Sequence, residues 1–349
     1  MHFWSTMITL TTLATVSIAN GQSLNAPFDA SYAISDLGTP PSVPGPLGGL
    51  FVRAEDPATL LIGGAANSAS AKIYAVTLVR GKDGHIISFA PEPATIVATA
   101  PGIGGGGIDG GLAIGPGGVL FYTAYNGNDV GQIKPGSTAP DLLTDLTSIG
   151  VASSVGTLAF VPPGFNNAGK LKLASYNASI WYSSAVSPNG DGTFAIAKPT
   201  TPIAIGGGPE GILFVEAGNP EFAVNSVLIS QYAAANVVAY DLDANSDPIV
   251  ATKRTFISGV GGAEGAARDP LTGDYLFSTF QSGDRVLVVR GFAVSCPADL
   301  NGDGAVGPQD LALLLGDWGG TSSPADLDSN GVVGASDLAI MLGAWGPCS

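Results

Sequence analysis

Residues 210–243 read EGILFVEAGNPEFAVNSVLISQYAAANVVAYDLD. An apolar opening, EGILF, runs into a turn. SVLISQY follows as a second apolar stretch and NVVAYDLD as a third. Short apolar runs bounded by Gly, Pro and Asn read as strands joined by tight turns.

The same order recurs along the chain. The opening returns as GGLFV from Gly48, GGLAI from Gly110, GTLAF from Gly156 and EGAAR from Glu264. Second strands follow as TLLIGGA, VLFYTAY, KLKLASY and YLFSTF, and four of the five end on an aromatic: Tyr125, Tyr176, Tyr232 and Phe280. Third strands read KIYAVTLVR and DRVLVVRGF, and HIISFA and TFAIA serve as fourth strands. The openings are spaced by 62, 46, 54 and 54 residues. Four strands in a unit of this length mark a propeller blade.

Five blades are counted; a sixth would have to hide in the long first unit. The last unit has room for only three strands, so DASYAISDL, from Asp29, is expected to close the ring as its outer strand. The competing fold, a pair of β-sandwiches, does not account for the recurring Gly–x–Leu openings. The repeat resembles the broad group of secreted propellers that includes NHL-repeat and gluconolactonase-like proteins. That likeness is one of architecture and carries no catalytic residues over.

Composition agrees with a mainly β chain. There are 50 Gly and 25 Pro, and hydrophobic residues reach 45% against 12% charged, which excludes a disordered chain. The net charge of −15, with no basic patch, excludes nucleic acid as a partner. The first nineteen residues, MHFWSTMITLTTLATVSIA, form an apolar run with Ser17 and Ala19 at the −3 and −1 positions of a cleavage site. They read as a secretory signal peptide over 1–19, with an N-terminal membrane anchor as the alternative. The expected location is extracellular or at the cell surface.

The tail is acidic. Seven aspartates and no Lys or Arg lie between Cys296 and Ser349. Two patterns sit 27 residues apart: Asp299, Asn301, Asp303, Gly304, Ala305, Gly307, Asp310, and Asp326, Asp328, Asn330, Gly331, Val332, Gly334, Asp337. Each has the calcium-loop spacing 1, 3, 5, 7, 9, 12. Side chains at 1, 3, 5 and 12 and the carbonyls of Ala305 and Val332 would supply hard oxygens to Ca²⁺, one ion per loop. After each loop comes a helical stripe: Leu311, Leu314, Leu315, Trp318, then Leu338, Met341, Leu342, Trp345. The two stripes are expected to pack together.

This duplicated loop–helix unit resembles a type I dockerin, a calcium-dependent module that plugs secreted proteins into cohesins. The resemblance covers 296–349 and implies a cohesin-like partner. Loop positions 10 and 11 depart from the hydroxyl pair common in dockerins, being Pro308–Gln309 and Ala335–Ser336. A calcium-stapled cap with another extracellular partner therefore stays open. Cys296 and Cys348 bracket the tail and, in an exported protein, are expected to pair; closing that loop contributes roughly 4 kcal/mol.

The expected organisation is thus a signal peptide (1–19), a β-propeller (28–292) and a small α-helical, dockerin-like calcium-binding module (296–349). The catalytic inventory of the propeller is poor. His85 is the one histidine outside the signal segment and reads as a solvated turn residue, and no GxSxG elbow is present. DLDANSD, from Asp241, reads as a polar turn, because Ser246 and Thr252 replace the residues a calcium loop needs. The candidate channel ligand site is Asp109, Glu210 and Glu264, at or next to the same position of three openings. Glu210 and Glu264 either bond backbone amides of neighbouring turns, or the acids converge on a metal or a polar ligand, or two of them do glycosidase work as paired carboxylates. The expected function is a secreted binding or scaffold propeller, docked through its tail. The alternative is a polysaccharide-active enzyme, a glycoside hydrolase or lyase, carrying a dockerin.

Overall fold

The computed structural model describes residues 21–281, 283–292, 296–301, 305–321, 323–328 and 330–347. Residues 1–19, expected to be a signal peptide, residues 293–295, Asp303 and Cys348 lie outside the described residues. The chain is mainly β and forms a propeller of five blades.

Each blade is an antiparallel sheet whose inner strand carries one of the recurring openings. The inner strands are Leu50–Arg53, Ile108–Ile114, Val155–Phe160, Pro209–Val215 and Ala263–Arg268. The strands are apolar on both faces because each blade packs between two others. Five buried clusters fill the five interfaces. Leu213, Val237 and Phe256 of the fourth blade, for example, meet Tyr275, Phe277 and Leu287 of the fifth.

The ring closes as the sequence suggests. Ala33–Asp36 is the outer strand of the last blade, with Ala33 opposite Arg290 and Asp36 opposite Leu287. The segment before it adds a second tie, because Ser23–Leu24 pairs with Arg254–Ser258 on the outer edge of the fourth blade. Between these strands, Phe28 and Tyr32 sit among Phe222, Phe256 and Phe292. The chain start therefore clasps two blades.

The count of five blades holds, and one strand assignment is corrected. The long first unit hides no sixth blade. Its third strand, Lys72–Arg80, supports two short outer strands, Ile86–Phe89 at one end and Thr95–Thr99 at the other. In the third blade TFAIA is not the outer strand. Phe194–Ile196 pairs with Val186–Pro188 in a side hairpin, and Thr200–Ala204 takes the outer place.

In the tail, α1 (Pro308–Gly316) and α2 (Ala335–Gly343) are nine residues each. Leu314 and Met341 are fully buried in one small core, with Leu311 and Leu338 against it. Only half of each expected stripe packs: Leu315, Trp318, Leu342 and Trp345 are about half exposed. The helices end at Gly316 and Gly343, so Trp318 and Trp345 fall past their ends, while Leu315 and Leu342 lie beyond the edge of so small a core. Among the described residues no helix is long and apolar enough to cross a membrane.

Candidate functional site

The inner strands open irregularly. The pairing register shifts between Ile108 and Leu112, between Pro209 and Gly211, and between Ala263 and Ala266. A bulge at a strand start re-aims a side chain out of the sheet alternation. Asp109, Glu210 and Glu264 each lie within one of these shifts. All three point to one end of the central channel, and one oxygen from each lies within 4.8 Å of the others. This also explains why Asp109 joins the group from one position earlier in its repeat.

The three carboxyls are 2%, 4% and 1% exposed. They are not saturated by backbone amides. Asp109 Oδ2, Glu210 Oε2 and Glu264 Oε1 are buried with no hydrogen-bond partner, as is Asn67 Oδ1 beside them. The four residues that carry these oxygens line one chamber of about 240 Å³, which no cationic side chain among the described residues lines. Buried polar atoms are normally bonded, and like charges this close cannot all ionise. Burial pushes the Asp109 carboxyl up to about 7, outweighing the hydrogen bonds with Glu264, Asn67 and the Gly110 N–H that pull it down, so the unpartnered oxygens belong to groups that already touch one another. Burial and the charge of Asp109 raise Glu210, and burial followed by the charges of Glu210 and Asp109 raises Glu264.

The aromatic ends of the second strands form a collar around this chamber. Tyr125, Tyr176, Tyr232 and Phe280 line it together with Asn67 and the acids. Tyr176 meets Tyr232 edge-on at 5.8 Å between ring centroids, and Tyr232 meets Phe280 at 6.0 Å. Burial and then the nearby carboxylates push the Tyr176 and Tyr232 hydroxyls above the usual tyrosine pKa, so both stay protonated. The collar aromatics were visible as a repeat, although their shared role follows only from ring geometry. Asn67 carried no repeat signal, because the first unit has no aromatic at this position.

Below the acids the channel is shut by backbone. A Cβ on Gly49 would lie 2.7 Å from the carbonyl carbon of Gly111, and one on Gly211 would lie 2.5 Å from the carbonyl oxygen of Glu264. Gly49 N–H donates to the Asp109 carbonyl at 2.7 Å. Second-strand hydroxyls complete the waist: Thr123 Oγ1 donates to the Gly156 carbonyl and Ser278 Oγ to that of Gly48. The recurring glycines of the openings are required by this close approach.

The other candidates fall elsewhere. His85 is not a solvated turn residue: its Nδ1 lies 2.7 Å from Asp274 Oδ2, joining the first blade to the last. Asp247, at the end of the DLDANSD turn, is buried and accepts from Lys172, Trp181 and Ser183 of the third blade. In the tail, Asp326, Asp328 and Asp337 bring oxygens within 4.8 Å of one another, a donor set that fits a hard cation. Asp310 and Asp337 are buried and also brace their loops. Asp310 accepts from the N–H groups of Asn301 and Gly307, and Asp337 from those of Leu327, Asp328 and Gly334. Asp299 and Asn301 belong to the first loop, whose Asp303 is outside the described residues. Among the described residues no cysteine is free; the expected partner of Cys296 lies outside them.

No family model matches the sequence, and no curated protein matches it significantly. Solved structures similar to this chain include a PQQ-bound aldose sugar dehydrogenase from Streptomyces coelicolor, at 12% identity, 75% of this chain, 98% of that one and a TM-score of 0.38. A putative oxidoreductase (glucose dehydrogenase) from Thermus thermophilus is similar at 15% identity, 74% of this chain, 100% of that one and a TM-score of 0.40. A streptogramin B lyase is similar at 12% identity, 74% of this chain, 97% of that one and a TM-score of 0.37. At these values the likeness adds nothing to the strand pairing above. The chain is a five-bladed propeller with a buried acidic chamber at one end of its channel.

Proposed function

We propose that this chain is a secreted, ligand-binding propeller that holds a hard divalent cation, Ca²⁺ in the first instance, in its acidic chamber. The observation that carries the reading is the convergence of the buried carboxyls of Asp109, Glu210 and Glu264, each with an unpartnered oxygen, in a chamber that Asn67 also lines. Oxygen-only donors in that number suit Ca²⁺, Mg²⁺ or Mn²⁺. A cation would replace the protons that the crowded carboxyls otherwise need, and it would present open positions to a ligand inside the aromatic collar. Hydroxyl-rich ligands such as glycans fit this combination, because rings stack on Tyr and hydroxyls ligate the ion.

The alternative, a glycoside hydrolase or lyase, is less well supported. A retaining or inverting glycosidase needs two carboxyls about 5 Å or more apart flanking an open cleft. Here three are buried together, and among the described residues no basic group accompanies them in the chamber.

In the same proposal, the tail binds one Ca²⁺ in each loop, through Asp299, Asn301, Asp303, Ala305 and Asp310 and through Asp326, Asp328, Asn330, Val332 and Asp337. It docks the protein to a cohesin-like or other extracellular partner. A bridge between Cys296 and Cys348 would tie its ends, and residues 1–19 would direct export.

Titration of the full chain with CaCl₂ by calorimetry, in wild type and Glu210→Gln/Glu264→Gln, tests the channel site. Uptake in the channel should vanish in the double variant. Equal uptake by both proteins overturns the cation reading.

A further inference from the structure

We propose that the opposite end of the channel is a second, separate binding chamber, which takes a small, mainly apolar ring molecule bearing one hydroxyl. The glycine waist makes the two ends independent. Below it the channel widens into a cavity of about 460 Å³, within the ~300–1,000 Å³ typical of small-molecule sites.

Its chemistry is the reverse of the acidic end. The wall is built from the later residues of all five inner strands, among them Phe51, Ile114, Phe160 and Phe214. Ala113, Ala159, Ala266 and Ala267 stand where larger side chains would fill the space. The charged groups in the wall are Glu216 and Arg268, and Arg268 Nη1 donates to Glu216 Oε1 at 2.9 Å. Each is about a quarter exposed, so the pair is presented to an incoming molecule rather than sealed. A paired carboxylate and guanidinium offer an acceptor and a donor side by side. A hydroxyl satisfies both at once by donating to Glu216 and accepting from Arg268. A charged group would have to displace one partner, at the cost of leaving the other unpaired. An apolar pocket with a single polar pair is the common pattern for recognising an apolar body with one oriented polar end.

Pro297 also lines this chamber. The chain just after Cys296 therefore forms part of its wall, so an occupant would touch the segment that leads into the tail.

The test uses 2-naphthol and the full chain. Fluorescence titration should show saturable binding with one site per chain. Naphthalene, which lacks the hydroxyl, should bind about tenfold more weakly or worse, as expected for loss of a hydrogen bond to charged groups. Ala113→Leu, which narrows the chamber, should weaken binding. Ala54→Trp alters an exposed rim position, where folding is not at risk, and should weaken it at least severalfold. Glu210→Gln/Glu264→Gln should leave it unchanged, because the waist lies between.

Non-saturable uptake, or equal affinity for naphthalene, overturns the proposal. So does binding that survives both Ala113→Leu and Ala54→Trp but falls in Trp318→Ala/Trp345→Ala, which would place the probe on the exposed tail aromatics. Raised melting temperature with 2-naphthol in wild type, and a smaller rise at the same concentration in Ala54→Trp, provides a second readout.

Discussion

A Cβ placed on Gly265 would stand 2.6 Å from the Cα of Gly49, so the last and first blades meet backbone to backbone at the waist of the channel. Neither side can give way, since both contacts are main chain on buried inner strands. Gly265→Ala should cost about 3 kcal/mol, the upper end for overpacking, and lower the melting temperature by several degrees. An unchanged melting curve would show that the waist is looser than this contact implies.

The ring closure depends on aromatic packing as well as on strand pairing. Phe28 is fully buried and lies 5.0 Å from the Phe256 ring and 5.3 Å from that of Phe222. Phe28→Ala should destabilise by about 3–5 kcal/mol. Ile87→Ala, at a position half exposed on an outer strand, should stay within about 0.5 kcal/mol. Denaturant unfolding of both variants compares them; equal effects would sink the clasp.

Lys172 ties the third blade to the fourth. It is fully buried, and its Nζ donates to Asp247, Ser183 and the carbonyl of Asn245. Lys172→Met leaves Asp247 buried without its cation and should cost about 3–5 kcal/mol. Adding Asp247→Asn should restore part of the loss. Strict additivity in the double-mutant cycle would mean that the pair is not coupled.

Much of this fold was legible because propeller blades repeat their chemistry. Glu210 and Glu264 could be matched by register alone, and the missing outer strand followed from counting strands in the last unit. What could not be read depends on distances across the ring. His85 meets Asp274, 189 positions away, and no local pattern announces the pairing. The recurring glycines were visible, but only the approach of five backbones explains them. In the third blade, TFAIA and TTPIA are equally strand-like, and the side hairpin decided which took the outer place. In the tail the apolar stripe was correct as a period. The small core it serves has room for Leu314 and Met341 but not for the two tryptophans.

The acidic chamber gives a pH dependence of definite sign. Asp109 is raised from its ordinary value to about 7, and Glu210 and Glu264 are raised as well. The folded, cation-free protein therefore holds more protons than the unfolded chain between about pH 4 and 7. Stability is fully present below that window and falls as pH rises through it. Without divalent cations, the melting temperature should decline from pH 5 to pH 8. Glu210→Gln/Glu264→Gln should flatten the decline. A rise over this range, or equal slopes in both proteins, would contradict the assignment of the shift to these acids.

The most direct test of the account is the calcium stoichiometry of the full chain, measured by equilibrium dialysis with metal analysis. One ion in the channel is expected in addition to one in each tail loop. Asp299→Ala/Asp326→Ala should remove the tail ions and keep the channel ion, whereas Glu210→Gln/Glu264→Gln should do the reverse. If the tail variant retains no calcium and the channel variant binds as much as wild type, the acidic chamber is not a cation site and the central claim fails.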